Sequence, residues 1–176
     1  MAKKKKQTKT TRRRKQKDIE DIAPKTVSYF WRQVFAFFLI VVALFILAGG
    51  FGWGGRLPVT LFEGAAWAFG LVAYILPFVL IFLAVHKFRH EEYIIPFSKL
   101  LSSVLFMAAL AAMLHVFVDR ADSPLAASQG TYGGQIGNAI SSGLLLFLNS
   151  ITAFIICFFV TWLGFMLMFG ISPKRM

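Results

Sequence analysis

Four long apolar stretches that contain no Asp, Glu, Lys or Arg constrain this chain more than any other feature of its sequence. A helix needs about 20 apolar residues to cross the roughly 30 Å of hydrocarbon in a bilayer. Each stretch is long enough to do so, and none shows the alternation of apolar and polar residues that marks a membrane barrel strand. The pattern predicts an all-α integral membrane protein, a four-helix transmembrane bundle with spans near residues 33–53, 64–86, 100–118 and 144–169.

The composition is that of a membrane protein rather than a soluble domain. Hydrophobic residues make up 57% of the chain and charged residues 15%, whereas soluble domains carry about 25% charged residues. We therefore expect a membrane domain over residues 29–173 and a short cytoplasmic end at 174–176. A cleaved signal peptide is disfavoured, because 32 residues precede a first apolar stretch that is itself long enough to span.

The basic residues are distributed unequally between the predicted loops. Seventeen of the 19 Lys and Arg residues lie in the N-terminal tail, between Lys87 and Lys99, or after the last span; the other two are Arg56 and Arg120. Loops rich in Lys and Arg stay on the cytoplasmic side of a membrane. The distribution therefore predicts a multi-pass protein with both termini in the cytoplasm.

Residues 1–28 form a basic tail that we expect to be disordered. Ten of the first 17 residues are Lys or Arg, and a block of like charges with almost no apolar residue cannot bury enough surface to fold alone. Such a tail is attracted to anionic membrane lipids, and any contact it makes with nucleic acid would be nonspecific. The residues predicted to make these contacts are Lys3, Lys4, Lys5, Lys6, Arg12, Arg13, Arg14 and Lys15.

Small and polar residues inside the predicted spans indicate where helices pack together. Glycine lets two helices approach closely, and amide side chains form hydrogen bonds between helices. A proline within a span removes a backbone donor and is expected to kink the helix. The predicted packing residues are Gly64, Gly70, Pro77, Asn149 and Gly164.

Two segments between the spans have a different character. Residues 49–58 are rich in glycine and are expected to form a flexible turn outside the membrane. Residues 123–143 are too polar to span and too apolar to be a solvated linker, so we expect them to lie across the outer surface with short helical turns.

Few residues are candidates for catalysis or for binding a metal or cofactor. His86 and His90 have the spacing that places two imidazoles on one helix face, but a zinc site needs three or four ligands. The only further candidate ligands are Glu92 and the distant His115, so we expect no metal site. His115 lies near the end of the third span, and no acid at mid-membrane could form a proton relay with it. The chain also lacks a phosphate-binding glycine loop. We expect neither catalysis nor a cofactor.

The segment EGAAWAFGLVAYILPFVLIFLAVHKFR, residues 63–89, resembles the N-terminal four-helix membrane region of the FtsK/SpoIIIE-type DNA translocases. The matching elements are Gly64-Ala65, Phe69-Gly70, Ala73-Tyr74 and Pro77, the glycine-rich segment 133–137, and Gly164 and Gly170 in the last apolar stretch. Four spans with both ends inside are also similar to that region.

This resemblance implies a noncatalytic anchor and assembly domain in the inner membrane of a bacterium, acting in cell division and chromosome segregation. Members of the family are located at the septum, where this region helps the translocase to form oligomers and contacts division proteins. The ATP-driven DNA motor of full-length members is not among these residues. Two other interpretations stay open: a generic membrane-protein partner or assembly factor, and a transporter or channel subunit, which would need polar residues at mid-membrane.

Overall fold

A computed structural model describes residues 33–89 and 97–170, and every regular element within these ranges is helical. The predicted tail at 1–28 and the predicted cytoplasmic end at 174–176 lie outside the described residues. The elements in chain order are α1 (Gln33–Gly50), α2 (Arg56–Phe69), a 3-10 helix (Gly70–Tyr74), α3 (Leu76–Arg89), α4 (Phe97–His115), α5 (Ser123–Ser128), α6 (Gly134–Leu145) and α7 (Ser150–Phe169).

Four segments in the described ranges are long and apolar enough to cross a membrane. They are Gln33–Gly50, Arg56–Tyr74, Phe97–His115 and Ser150–Phe169, with Leu76–Lys87 as a shorter apolar helix. The predicted all-α membrane fold with four candidate spans is thus confirmed. The fourth of these helices begins at Ser150 rather than at Leu144, because the chain turns after α6 before it enters α7.

The second predicted span, 64–86, is not one continuous helix. The rings of Phe62 and Tyr74 lie 4.8 Å apart between centroids, whereas twelve residues of straight helix would separate them by about 18 Å along the axis. The chain therefore reverses direction between them, at Gly70, whose φ of 62° lies in the region that favours glycine. The expectation of one helix over 64–86 is corrected accordingly.

The reversal changes which residues form the second crossing. Helix α2 has 14 residues, and at 1.5 Å per residue its length of about 21 Å is shorter than a bilayer core. The 3-10 helix and α3 together run for about 30 Å, which is sufficient to cross. We infer that the four crossings are α1, the 3-10 helix with α3, α4 and α7.

Pro77 does not kink a helix in this arrangement. It is buried and occupies the second position of α3, which begins at Leu76. The first N–H groups of a helix have no intrahelical acceptor, so a proline there costs no hydrogen bond. The predicted kink at Pro77 is therefore replaced by a helix start.

Each of the four crossings has one of its ends on the same side of the bundle, which we call the Lys99 end. At this end the Lys99 ammonium lies 2.8 Å from the carbonyl oxygen of Met168, and the Phe82 and Phe169 rings are 4.8 Å apart. The start of α1 is there too, because the Lys87 ammonium lies 4.1 Å from the centroid of the Phe35 ring. The two ends of the described chain therefore emerge together.

The opposite end of the bundle, at His115, is covered by short helices. We call α2, α5 and α6, with the residues that connect them to the crossings (51–69 and 116–149), the end layer. Helix α6 packs against both α4 and α2. Between the two ends lies a small apolar core that contains Val72, Val79, Leu83, Met107, Ala111 and Met168. Large apolar side chains such as Phe37 and Phe159 are 65% exposed, as a surface in contact with lipid requires.

Candidate functional site

Glycines hold the end layer against the bundle at backbone distance. A Cβ on Gly133 would lie 2.0 Å from the carbonyl oxygen of Ala111 in α4, and a Cβ on Gly137 would lie 2.6 Å from the same oxygen. Real Cβ atoms do not come so close to a backbone oxygen, so only glycine fits at either position. The glycine-rich segment before the last helix therefore sets how closely α6 approaches α4.

The reversal at Gly70 is part of the same contact. A Cβ on Gly70 would lie 2.2 Å from the carbonyl oxygen of Tyr132, and the next residue, Leu71, donates its N–H to that oxygen at 2.8 Å. Gly134 meets the backbone of Gly70 and Ala68 from the other side. Gly70 thus joins the second crossing to the end layer.

A chain of polar side chains lies beneath this contact. His115 is only 1% exposed, and its Nε2 lies 2.9 Å from the Ser123 hydroxyl. That hydroxyl donates to Oδ1 of Asn138 at 2.7 Å, and the Ser142 hydroxyl donates to the same oxygen at 2.9 Å. On the other side of the ring, the N–H of Gly133 points to Nδ1 of His115 at 3.4 Å. The last turn of α4 is thereby connected to α5 and α6.

The direction of these hydrogen bonds assigns the proton on His115. Because Gly133 donates to Nδ1, that nitrogen is the acceptor, and the neutral ring carries its hydrogen on Nε2 and donates it to Ser123. A serine nucleophile needs the opposite arrangement, in which the serine donates to Nε2 and a carboxylate accepts from Nδ1. The His115–Ser123 pair is therefore arranged for structure and not for nucleophilic attack.

A pocket of about 270 Å³ opens beside this polar chain. Its polar wall comprises His115, Arg120, Ser123, Asn138, Ser141 and Ser142. Its apolar wall comprises Val118, Pro124, Leu145 and Leu146. The guanidinium of Arg120 donates to the carbonyl oxygen of Leu145, near the end of α6. The pocket thus has one polar wall, which carries a cation, and one apolar wall, and it lies where α4 ends.

At the Lys99 end, one lysine stabilises the end of α7. The ammonium of Lys99 donates to the carbonyl oxygens of Leu167 at 3.1 Å and Met168 at 2.8 Å. The last carbonyls of a helix lack intrahelical donors, and a cation there also interacts favourably with the helix dipole. Gly170 ends the helix in the left-handed conformation, with φ of 72°. Lys99 therefore attaches the end of α7 to the start of α4.

The other predicted packing residues lie in different surroundings. Gly164 faces α4, where a Cβ would lie 3.0 Å from the nitrogen and Cα of Phe106. A Cβ on Gly64, in contrast, would meet nothing within 4 Å. The Asn149 side chain accepts from the N–H of Thr152 at 2.9 Å and caps the start of α7. This is a contact within one helix, where a bond between helices was expected.

The remaining predicted site residues give little to describe. The basic residues of the tail and His90 lie outside the described residues. The His86 ring stacks on Phe82 in α3 with centroids 6.2 Å apart. Across residues 33–89 and 97–170, no three His, Cys, Asp or Glu side chains are grouped so that they could hold a metal ion.

Sequence reasoning missed Ser123, Asn138 and the serines at 141 and 142 as one cluster with His115. The only available signal was the unusual polarity of residues 123–143, which predicted a surface segment. The structure gives this segment two helices, α5 and α6, and places its polar side chains against the end of α4.

Together, the apolar crossings and the glycine-mediated end layer define the class: a multi-pass α-helical membrane protein. The chain belongs to the family described as the 4TM region of DNA translocase FtsK/SpoIIIE, which matches residues 49–176. The resemblance seen in the sequence is thereby confirmed. No curated protein and no solved structure matches the chain.

Proposed function

We propose that this chain anchors a bacterial DNA translocase in the inner membrane and helps to assemble it during cell division and chromosome segregation. Membership of the FtsK/SpoIIIE 4TM family supports the translocase part of the proposal. The observation that carries the anchoring part is that the described chain enters and leaves the bundle at one end, since Phe35 contacts Lys87 and Phe82 contacts Phe169.

In the proposed orientation the Lys99 end faces the cytoplasm. The tail, the segment between α3 and α4 and the residues after Gly170 then lie together on the side where Lys and Arg are retained. The end layer, with only Arg56 and Arg120 as basic residues, faces outwards. The basic tail, from Lys3 to Lys15, contacts the anionic cytoplasmic leaflet, and touches nucleic acid only nonspecifically.

Anchoring and assembly are proposed as the whole contribution of this region, without catalysis. Four crossings hold a protein in the bilayer far more strongly than a lipid anchor does. We propose that copies of the chain associate in the membrane and that the end layer contacts proteins of the division septum. DNA translocation itself is assigned to a motor that these residues do not form.

The orientation is tested by labelling single cysteines. The background carries Cys157→Ser, since Cys157 is the one native cysteine and is buried. Gln129→Cys, exposed in the end layer, is expected to react with a membrane-impermeant maleimide in intact spheroplasts. Ser98→Cys, exposed at the start of α4, is expected to react only after the membrane is opened. The reverse labelling pattern would exclude the proposed orientation.

The anchoring function is tested by localisation and crosslinking in a dividing bacterium. The chain fused to a fluorescent protein is expected to concentrate at midcell, and crosslinking is expected to recover further copies of the chain, division proteins or a translocase motor. A four-span membrane protein of similar size, fused in the same way, is the control. Equal fluorescence around the whole envelope would contradict the proposal, as would transport by reconstituted protein above that of empty liposomes.

A further inference from the structure

The pocket beside His115 has more hydrogen-bond donors than its own protein contacts use. Oδ1 of Asn138 accepts two hydrogen bonds, from Ser123 and Ser142. The two N–H groups of the same amide have no acceptor among the residues that the structure describes. An amide nitrogen with free hydrogens at a cavity wall is suited to hold an oxygen atom of a ligand.

Arg120 supplies a cation at the same cavity. Its guanidinium has five N–H groups in a planar fork, and among the described residues it donates one hydrogen bond, to the carbonyl oxygen of Leu145. Within residues 33–89 and 97–170, no carboxylate pairs with it. Asp119 and Asp122 are its neighbours in the sequence, but neither contributes to the wall of the pocket. The contact with Leu145 therefore holds an unpaired guanidinium beside the cavity.

The position of the pocket indicates where its ligand comes from. His115 is the last residue of α4, so the pocket lies at the depth where a crossing ends and lipid headgroups begin. Leu146 and Phe147, at the end of α6, are 74% and 88% exposed. Leu146 belongs to the apolar wall of the pocket. A ligand with an anionic group next to an acyl chain matches both walls.

We propose that this pocket binds the phosphate ester of an anionic phospholipid in the leaflet at the His115 end. Arg120 contributes a forked, charge-assisted contact to the phosphate oxygens. The Asn138 amide donates to a further phosphate oxygen. The serine oxygens, whose hydrogens are already donated to Asn138, accept from the hydroxyls of the glycerol headgroup. Leu145 and Leu146 contact the first part of the acyl chain. The site is independent of the translocase role, since it requires only that the chain lies in a membrane.

The test is a titration of the purified full chain in detergent with phosphatidylglycerol, read by native mass spectrometry. Arg120→Gln removes the cation, and Ser142→Leu fills the cavity while Arg120 stays in place. Each is expected to weaken binding of phosphatidylglycerol by about tenfold or more. Arg56→Gln is the matched control, because it removes an exposed arginine from the same layer and leaves the basic tail unchanged. It is expected to alter binding by less than about twofold.

Two further arms separate the sources of the phosphate and exclude loss of folding. Glycerol phosphate has the same phosphate ester without acyl chains, and it is expected to compete only at far higher concentration. Competition at equal concentration would overturn the lipid as ligand and assign a soluble phosphate ester instead. Without lipid, each pocket variant is expected to unfold cooperatively, with a loss of stability no larger than that of one exposed hydrogen bond. Unchanged phosphatidylglycerol binding in Arg120→Gln, or an equal loss in Arg56→Gln, would overturn the proposal.

Discussion

Gly164 in α7 lies directly on the backbone of Phe106 in α4, so closely that a Cβ at residue 164 would be 3.0 Å from both the Phe106 nitrogen and its Cα. The Phe106 ring then extends beside Phe165, with the centroids 5.9 Å apart. In a bilayer, helices associate through such close packing rather than through a hydrophobic driving force, because lipid is as apolar as the side chains. Added volume at Gly164 is therefore expected to push α7 away from α4.

A matched pair of Gly→Ala substitutions tests this contact. In an open helical position alanine stabilises by about 0.5–1 kcal/mol relative to glycine, and Gly64 is such a position. At Gly164 the same methyl group overpacks against backbone, which costs about 1–3 kcal/mol. We expect Gly64→Ala to raise and Gly164→Ala to lower the free energy of unfolding in detergent, measured by denaturant titration. Equal effects of the two substitutions would contradict the packing.

A second pair of substitutions tests the chain reversal at Gly70. Gly55 and Gly70 have φ of 85° and 62° respectively, but only Gly70 lies against another backbone. Gly55→Ala is expected to cost about 1–3 kcal/mol for its backbone conformation alone. Gly70→Ala bears a similar conformational cost and in addition displaces Tyr132.

The separation of Gly70 from Tyr132 is observable at one amide. The N–H of Leu71 donates to the Tyr132 carbonyl oxygen, so Gly70→Ala is expected to accelerate hydrogen exchange at Leu71. Gly55→Ala leaves that bond intact and should not alter the exchange. Unchanged protection of Leu71 in Gly70→Ala would show that the reversal does not depend on this glycine.

Lys99→Met is expected to loosen the end of α7 without unfolding the bundle. The substitution keeps the length of the side chain but removes the donors to Leu167 and Met168. Loss of such a contact at a helix end costs about 0.5–2 kcal/mol. Hydrogen exchange at Phe169 and Gly170 is expected to accelerate most, while the middle of α7 is unaffected. Lys99→Arg, which keeps a cation, is the control and should preserve most of the protection.

Asn149→Ala is expected to destabilise the start of α7. The lost cap bond to the N–H of Thr152 costs about 0.5–2 kcal/mol. Asn149→Asp keeps an acceptor at the cap and is expected to retain nearly all of the stability. The stabilities of Asn149→Ala and Asn149→Asp are compared by circular dichroism during thermal unfolding in detergent. A loss as large in Asn149→Asp as in Asn149→Ala would favour an interhelical role for the amide, as the sequence first indicated.

The fold class followed from the sequence because the length and apolarity of a span are set by the bilayer. The break at Gly70 did not, since a glycine within an apolar run also fits helix packing. A glycine at a chain reversal is distinguished from a glycine at a packing contact by its φ and by its distance from Tyr132. Only the three-dimensional structure shows these two quantities. The sequence predicts a mid-helix position for Pro77 for the same reason, because nothing in the apolar run marks the helix start at Leu76.

The polar cluster at the His115 end could not be predicted because its members are distant in sequence. Ser123 lies eight residues from His115 and fifteen from Asn138. Hydroxyl and amide side chains are common on surfaces, so their types alone did not indicate a shared network. Asn149 forms a small polar cluster with Ser150 and Thr152 inside the predicted fourth span, and this pattern predicts hydrogen bonds between helices. Its capping role depends on a turn between α6 and α7 that hydropathy does not reveal.

The lysine contact at the end of α7 has a mechanical consequence. A tensile load applied to the chain beyond Gly170 would reach α7 at the carbonyl groups that accept hydrogen bonds from Lys99. Through this lysine and the contact between Gly164 and Phe106, the load would be divided between the antiparallel helices α4 and α7. Neither helix alone would then have to resist extraction, and the anchorage would withstand more force than a single crossing can.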